Sequence, residues 1–372
     1  MLRRTVSLVY RSFAHQKATR RLARILSERA GCELLHHSLS DEPDMDVLCA
    51  KLASSDLVVL SCGGRDINSI LARLRALPQR PATASLFPGI VVRSQFDAFL
   101  TRARCDHVLL NSPADARRYR RICRALGLEF NGIVYGASWF DSEADEKVAT
   151  AAEVTAGTVF FEQIDVPRLG YDRQKLADML IRLALRNPSR NFYVKTRTEK
   201  ATREHNKRLP ASLSCLLGET GYPANLRVCS DEVQEFVSKT DSCVTVSSSA
   251  AIEWLLAGQK VFLVSEFASR KHYSNFFAGS RLFRKLESLD PTELSRASRR
   301  WLADNVRYPE LTSGQLQILL SKQESIREIR WGPGVVLRLW LRVLPQFIHS
   351  PRLTLRKLRN ALNLVRWEIC QS

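Results

Sequence analysis

One apolar run of this chain ends in three adjacent hydroxyls. In Val246-Ser247-Ser248-Ser249-Ala250-Ala251-Ile252-Glu253 a hydrophobic strand is predicted to hand three serines to the start of a helix. The free N–H groups and the dipole at a helix N-terminus attract an anion, and the hydroxyls add donors. A phosphate fits that combination. A cap by Ser249 is the plainer role, but capping needs one serine only. Glu253 lies one turn on, on the face of Ser249, where it could accept from a ribose hydroxyl or satisfy the first helical turn.

A second chemical stretch is Lys195-Thr196-Arg197-Thr198-Glu199, at the end of the strand-like NFYVKTR. Two cations leaving a buried strand suit a phosphate clamp, and equally suit a solvated basic loop. His205 follows eight residues after Arg197, as a second phosphate donor or a structural histidine. Glu162 and Gln163 end the run GTVFFEQ, where they could hold a base or a sugar hydroxyl, or simply begin a polar loop. Gly63-Gly64-Arg65-Asp66 follows the buried run DLVVLSC. There the glycines would let a ligand approach the backbone, Arg65 would hold an acidic acceptor, and Asp66 is placed to act as general base on an acceptor hydroxyl. Asp66 reads equally well as the N-cap of a helix over 67–77.

These residues need elements to position them, and the periodicity supplies two series. Over residues 1–140, strand runs at 5–10, 32–39, 56–62, 81–89 and 106–112 alternate with helical patterns at 14–30, 45–54, 67–77, 94–103 and 113–126. Residues 141–156 are polar and acidic and read as a linker. A second alternation over 157–326 has strands at 157–163, 191–197, 226–230, 242–249 and 260–266, with a helical end running to about 325. Alternation of this kind predicts an α/β chain of two doubly wound, Rossmann-like domains, the layout of GT-B glycosyltransferases. Ligands of such sheets bind beyond the carboxyl ends of the strands, where every stretch named above falls.

Composition bounds the remaining choices. The chain has 372 residues, enough for two sizeable cores, and carries a net charge of +18, which favours anionic partners. Nine cysteines are scattered without a C-x-x-C, as expected of reduced, mostly buried thiols and neither a zinc site nor a disulfide framework. No run of 18 uncharged apolar residues is present, and the basic start MLRRTVSLVYRSF makes a better first strand than a signal peptide. There is no G-x-x-x-x-G-K-[ST], no G-x-G-x-x-G after the first strand and no D-x-D. No metal or cofactor is therefore expected, and helix dipoles with basic side chains would carry the charge of a departing phosphate. The aromatics form no stacking platform, so nucleic acid is not the expected partner; a basic nucleic-acid-binding or non-catalytic protein is the alternative from another class.

Residues 327–372 differ from the rest. They hold nine Lys/Arg against two Glu, with large apolar residues between them, among them Trp340, Phe347 and Trp367. A basic amphipathic helical tail of this composition is expected to lie on an anionic membrane surface. A helix packed on the folded part, with a basic outer face, is the other possibility. The expected location is the cytoplasmic face of the membrane.

The runs DHVLLNSPADARRYRRICRALGL, NGIVYGASWF and VFFEQIDVPRLGYDRQKLADMLIRLALRNPSRNFYVKTRTEKATREH resemble a group of bacterial surface-polysaccharide proteins of the GT-B glycosyltransferase kind. The serine motif is similar to the phosphate-binding serines of bacterial sialyltransferases, capsule Kdo transferases and CDP-glycerol transferases. That resemblance implies a nucleotide-sugar donor, CMP-linked by preference, and a glycan or lipid-linked acceptor. It also leaves open a polyol-phosphate transferase of the CDP-glycerol type. Lys195 is kept from the family pattern, whereas Thr196-Arg197 stand where those enzymes carry His-Pro.

Overall fold

A computed structural model describes residues 3–91, 95–140, 156–163, 166–196, 211–231, 233–267 and 275–321. Residues 141–155 of the expected linker over 141–156, the residues Arg197, Thr198, Glu199 and His205, and the basic tail 327–372 lie outside the described residues. The chain forms two compact units. One takes the described residues up to Phe140 together with those from Arg307, and the other runs from 156 to Val306.

The first unit is built on a six-stranded parallel sheet ordered β2-β1-β3-β4-β5-β6. Its strands are β1 (Thr5–Tyr10), β2 (Glu33–Ser38), β3 (Leu57–Ser61), β4 (Ala82–Ser85), β5 (His107–Leu110) and β6 (Gly132–Val134). Strand side chains alternate between the faces. Val6, Leu8, Leu57 and Val59 therefore pack on one side with Ala18, Leu22 and Leu26, which belong to α1 (Phe13–Arg24) and the π-turn that continues it. Val9, Val58 and Leu60 face the other side, against α2 (Met45–Leu52) and α3 (Gly64–Arg75). The α3 residues in that contact, Ile67, Ile70, Leu71 and Leu74, recur at helical spacing. On the same side α4 (Gln95–Arg102) and α5 (Pro113–Leu126) cover Val108 and Leu110 through Phe99, Leu100 and Tyr119. The bounds of α5 follow its local signals: Ser112 caps it, Pro113 opens it, and Gly127 closes it in the left-handed region at φ 69°.

The second unit has a six-stranded parallel sheet ordered β12-β11-β10-β7-β8-β9. Its strands are β7 (Gly157–Phe161), β8 (Asn191–Lys195), β9 (Leu226–Cys229), β10 (Ser242–Thr245), β11 (Lys260–Val264) and β12 (Phe283–Arg284). The helices are α6 (Gly170–Arg186), α7 (Leu213–Thr220), α8 (Val233–Lys239), α9 (Ala250–Leu256) and α10 (Arg299–Asn305). Phe160, Val194, Val244 and Phe262 form a core with Leu176, Leu180 and Leu183 of α6 and Leu213 and Leu217 of α7. On the opposite face Phe161 meets Phe236 and Trp254 edge-on.

The α/β, doubly wound expectation holds, with three elements added that periodicity did not reveal: β6, α7 and β12. All are short. One boundary is corrected. The second unit ends at Val306 rather than 326, and among the described residues its last part is a series of short turns around β12 followed by the helix α10, not a continuous helical end. The chain then returns to the first unit. Ala137 N–H donates to Arg307 O (2.9 Å) and Glu310 N–H to Tyr135 O (2.9 Å). Leu311, Leu316 and Leu319, on and before α11 (Ser313–Leu319), join the core beside α1. Gly136 permits the crossing: its φ is 117°, and a Cβ there would come within 2.4 Å of Tyr308 O. Among the described residues, no helix is long and apolar enough to cross a membrane. All eight described cysteines are free, and six of them are buried.

Candidate functional site

In an open parallel sheet the crevice opens where the chain order reverses, because the connections leaving two neighbouring strands part to opposite faces. Each sheet here has one such point. In the second unit it lies between β7 and β10, in the first between β1 and β3.

The second unit's switch point gathers residues 162–163 and 246–249. Gln163 Oε1 accepts from both Ser247 N–H (3.0 Å) and Ser247 Oγ (3.1 Å), tying the end of β7 to the loop after β10. Thr245 Oγ1 donates to Phe161 O (3.2 Å) and accepts from Ser248 N–H (3.3 Å). The three serines thus have different tasks. Ser247 is buried and tethered, while Ser248 Oγ accepts from Ala250 N–H (3.3 Å) and is the side chain that caps the turn into α9. Ser249 has helical backbone angles and makes no capping bond, which corrects its expected capping role. The α9 helix has only seven residues, so its dipole is small and the hydroxyls and loop N–H groups are the main donors.

Beneath this loop Glu162 is buried and ion-paired with the buried Arg173 of α6. Its Oε1 also accepts from Leu213 N–H (2.9 Å), and Arg173 donates to Gln163 O (3.1 Å) and Pro167 O (3.3 Å). Glu162 is therefore a fastening of the β7–α6 loop. Expected as a ligand to a base or sugar, it is committed to protein partners instead. Gln163, one residue on, is what this fastening positions.

Lys195 ends β8, on the far side of β7 from β10. Its Nζ donates to Thr196 O (3.1 Å) and reaches Ser230 O (3.5 Å), towards β9 and away from the serines. Of the phosphate clamp expected from Lys195 with Arg197, these bonds describe Lys195 alone, since Arg197 lies outside the described residues. Glu253 is buried (7% exposed) and close enough to Cys243 to raise that thiol's pKa further, after burial itself. That puts its carboxylate on the β10 side of α9, buried with Cys243.

The first unit's switch point gathers residues 11–15 and 62–66. Gly63, exposed, is the N-cap of α3, which begins at Gly64. Asp66 sits in the first turn and is not the cap. Arg11, leaving β1, chelates it: Nε donates to Oδ2 and Nη2 to Oδ1, both at 2.8 Å. The Asp66 hydrogen bond raises the Arg11 pKa further. A Cβ at Gly64 would lie 3.1 Å from the Thr101 side chain of α4, tighter than an ordinary contact, so Gly64 eases the packing of α3 on α4. Arg65 points out as an exposed side chain.

Four residues of this point escaped the sequence reading: Arg11, Ser12, His15 and Arg102. Ser12 Oγ lies 2.6 Å from His15 Nδ1, and Ser61 Oγ donates to His15 O (2.7 Å). Arg102, buried in α4, donates to Leu86 O (3.3 Å) and Cys62 O (3.1 Å), joining the ends of β3 and β4. Burial, and then the Arg102 charge, lower the pKa of His15. The signal for these residues was present in Arg11-Ser12-Phe13-Ala14-His15, which leaves β1 as Gly63-Gly64-Arg65-Asp66 leaves β3. Among the described residues no group of three or more His, Cys, Asp or Glu side chains could hold a metal ion.

Solved structures share this fold. A crystal structure titled as a "putative UDP-N-acetylglucosamine 2-epimerase" from Listeria monocytogenes is similar at TM-score 0.53 and 11% identity, over 94% of this chain and 98% of that one. The S. aureus MnaA–UDP co-structure is similar at TM-score 0.50 and 9% identity, over 76% of this chain and 83% of that one. At these identities the likeness shows a fold of two Rossmann-like units, GT-B in kind, and nothing finer. No curated protein matches the chain in sequence. A family model does match it, over residues 11–316, which takes in both switch points, and the chain belongs to that family, described as "Putative glycosyltransferase (DUF6716)".

Proposed function

We propose that the chain transfers a sugar from a pyrimidine-nucleotide donor to a glycan or lipid-linked acceptor in cell-surface polysaccharide synthesis. The observation that carries this is the Gln163–Ser247 tether at the second unit's switch point, with the Ser249 hydroxyl beside it not used as a cap. An anion-binding loop needs donors fixed in place before the ligand arrives, because ordering them afterwards costs entropy. Gln163 fixes Ser247 by two hydrogen bonds and is itself held by the buried Glu162–Arg173 pair through the chain. A donor phosphate seated there would leave with the bonding electron pair, its charge met by loop N–H groups and hydroxyls. Family membership supports the transfer reaction. The resemblance of the serine motif supports CMP, and the UDP of the S. aureus structure supports a pyrimidine nucleotide more broadly.

We further propose that residues 327–372 hold the enzyme on the cytoplasmic face of the membrane, where lipid-linked acceptors are presented. Their net charge of +7 is the support, at about 1 kcal/mol per Lys/Arg near an anionic leaflet.

The test is a thermal-shift panel of CMP, CDP, UDP, GDP and ADP. A nucleotide at 100 times its dissociation constant stabilises the fold by about 2.7 kcal/mol. We expect CMP, CDP or UDP to shift the transition and Gln163→Ala to remove the shift. A shift by none of the five, or an undiminished shift in Gln163→Ala, overturns the site. Supplying CDP-glycerol beside CMP- and UDP-sugars as donors separates sugar transfer from polyol-phosphate transfer.

A further inference from the structure

The amphipathic pattern of α5 leaves one face made of arginine. Its inner face, with Ala116, Tyr119, Cys123 and Leu126, packs into the core over β5. Its outer face carries Arg117, Arg120, Arg121 and Arg124, all exposed. These positions stand at i, i+3, i+4 and i+7, so they form one stripe, about 10 Å long at the helical rise. The fifth arginine of the helix, Arg118, is half-buried and pairs with Asp115, the one acid of α5 (3.1 Å). The next acid in sequence, Glu129, lies past the stop at Gly127.

A helix gains nothing from such a stripe. Like charges three and four residues apart repel, and these four arginines make four such pairs. Several other exposed cations of this unit meet acids: Arg11 pairs with Asp66, Lys51 with Glu42 and Arg73 with Asp46. Helix α1 is as basic in sequence, but Lys17 is buried and Arg21 and Arg24 are half-buried, which leaves Arg20 as its exposed cation. On α5, Arg120, Arg121 and Arg124 have no carboxylate partner among the described residues. Arg120 lies over the Phe130 ring (4.3 Å), and Arg121 Nε donates to Arg117 O (3.4 Å).

We infer that the α5 stripe is a docking surface for anionic lipid headgroups, by which the folded first unit itself touches a membrane. The inference rests on the membrane location proposed above, but on residues other than 327–372. The shape of the stripe favours a leaflet over a polyanionic chain. It is the convex back of a helix, and no aromatic side chain is exposed along it for bases to stack on. Guanidinium forks match phosphate and carboxylate oxygens, the two anionic groups of a phosphatidylserine headgroup. No large apolar residue is exposed between the arginines, so the contact is electrostatic, reversible and weakened by salt.

The experiment is flotation of the full chain with phosphatidylcholine vesicles, with and without phosphatidylserine. Three variants are compared with the wild type. One replaces Arg117, Arg120, Arg121 and Arg124 by Gln. The second replaces the exposed Arg182, Arg296, Arg299 and Arg300 of the second unit by Gln, an equal change of charge. The third replaces the nine Lys/Arg of 327–372 by Gln. We expect the wild type to bind only vesicles that contain phosphatidylserine, and less at high salt. At roughly fivefold per arginine near an anionic leaflet, the α5 variant should lose about 10²–10³-fold in affinity, and the second-unit variant only a small factor. Gln is nearly as good a helix former as Arg, so the α5 variant should melt at the wild-type midpoint or slightly above it, as repulsion is relieved. A lower midpoint gives the stripe a structural task and overturns the inference, as does equal binding by the first two variants. Loss in the α5 variant with wild-type binding by the third leaves α5 standing and overturns the role proposed for 327–372; the converse overturns α5. A wild type that binds no vesicle overturns both. Binding of duplex DNA at physiological salt in preference to the vesicles overturns lipid as the partner and favours nucleic acid.

Discussion

The two switch points are built from opposite materials. In the second unit the surface of the site is neutral, a glutamine and serines, and the charges lie underneath as the buried Glu162–Arg173 pair, with side chains 5% and 2% exposed. In the first unit the charges are at the surface: Arg11 is 47% exposed and Asp66 16%, with the titratable ring of His15 between the loops. Yet each point has a serine in cap position that does not cap, Ser249 in one and Ser12 in the other. Fixed neutral donors suit a ligand whose charge does not change on binding. A half-buried imidazole suits a step in which a proton moves.

The comparison is easiest to break at its ion pairs. Removing one partner of a buried pair leaves an uncompensated charge, so Arg173→Ala should cost about 3–5 kcal/mol in the urea midpoint and abolish nucleotide binding with it. Arg11→Ala breaks an exposed pair and should cost under about 1 kcal/mol. Equal losses would mean that the two points are not built differently. Next come the caps. Ser112→Ala, at a serine that does cap, should cost about 1 kcal/mol, whereas Ser12→Ala and Ser249→Ala should cost only a few tenths. A full cap penalty at Ser12 would show that its hydroxyl serves the helix in solution.

The smallest expected effect is in pH. His15 and His37 both have lowered pKa values, burial being the first cause in each. The folded chain therefore binds fewer protons than the unfolded one below the ordinary value of 6.5, and stability should fall as pH drops through that window and level off above it. His15→Gln should flatten part of this slope in a series of melts from pH 5 to about 7.5. An unchanged slope would place the titration elsewhere.

Much of the fold was legible in sequence because its signals are local. The β1 run TVSLVY and the α5 run from Pro113 to Gly127 carry their own period, start and stop, and the structure bounds them at the same residues. The short β6 and β12 were missed because two or three residues cannot show a period. Site residues were read less well. The loops were found, since they follow hydrophobic strands, but the tasks within them were not. Glu162 and Gln163 look alike in sequence as a polar loop start; Arg173, ten residues beyond Gln163, makes one a fastening and leaves the other to hold Ser247.

Sequence by itself determined two series of parallel strands and helices, the serines after β10 and the glycines after β3, because each depends on periodicity or residue type within a few positions. Only the tertiary structure decided the rest. Gln163 meets Ser247 across 84 residues and Arg11 meets Asp66 across 55. Residues 307–321 leave the second unit to complete the core of the first. Strand order in a parallel sheet is set by how each crossover helix packs, and a polar side chain's task by which partner arrives beside it. Both are long-range outcomes of burial, and no stretch of the chain contains them alone.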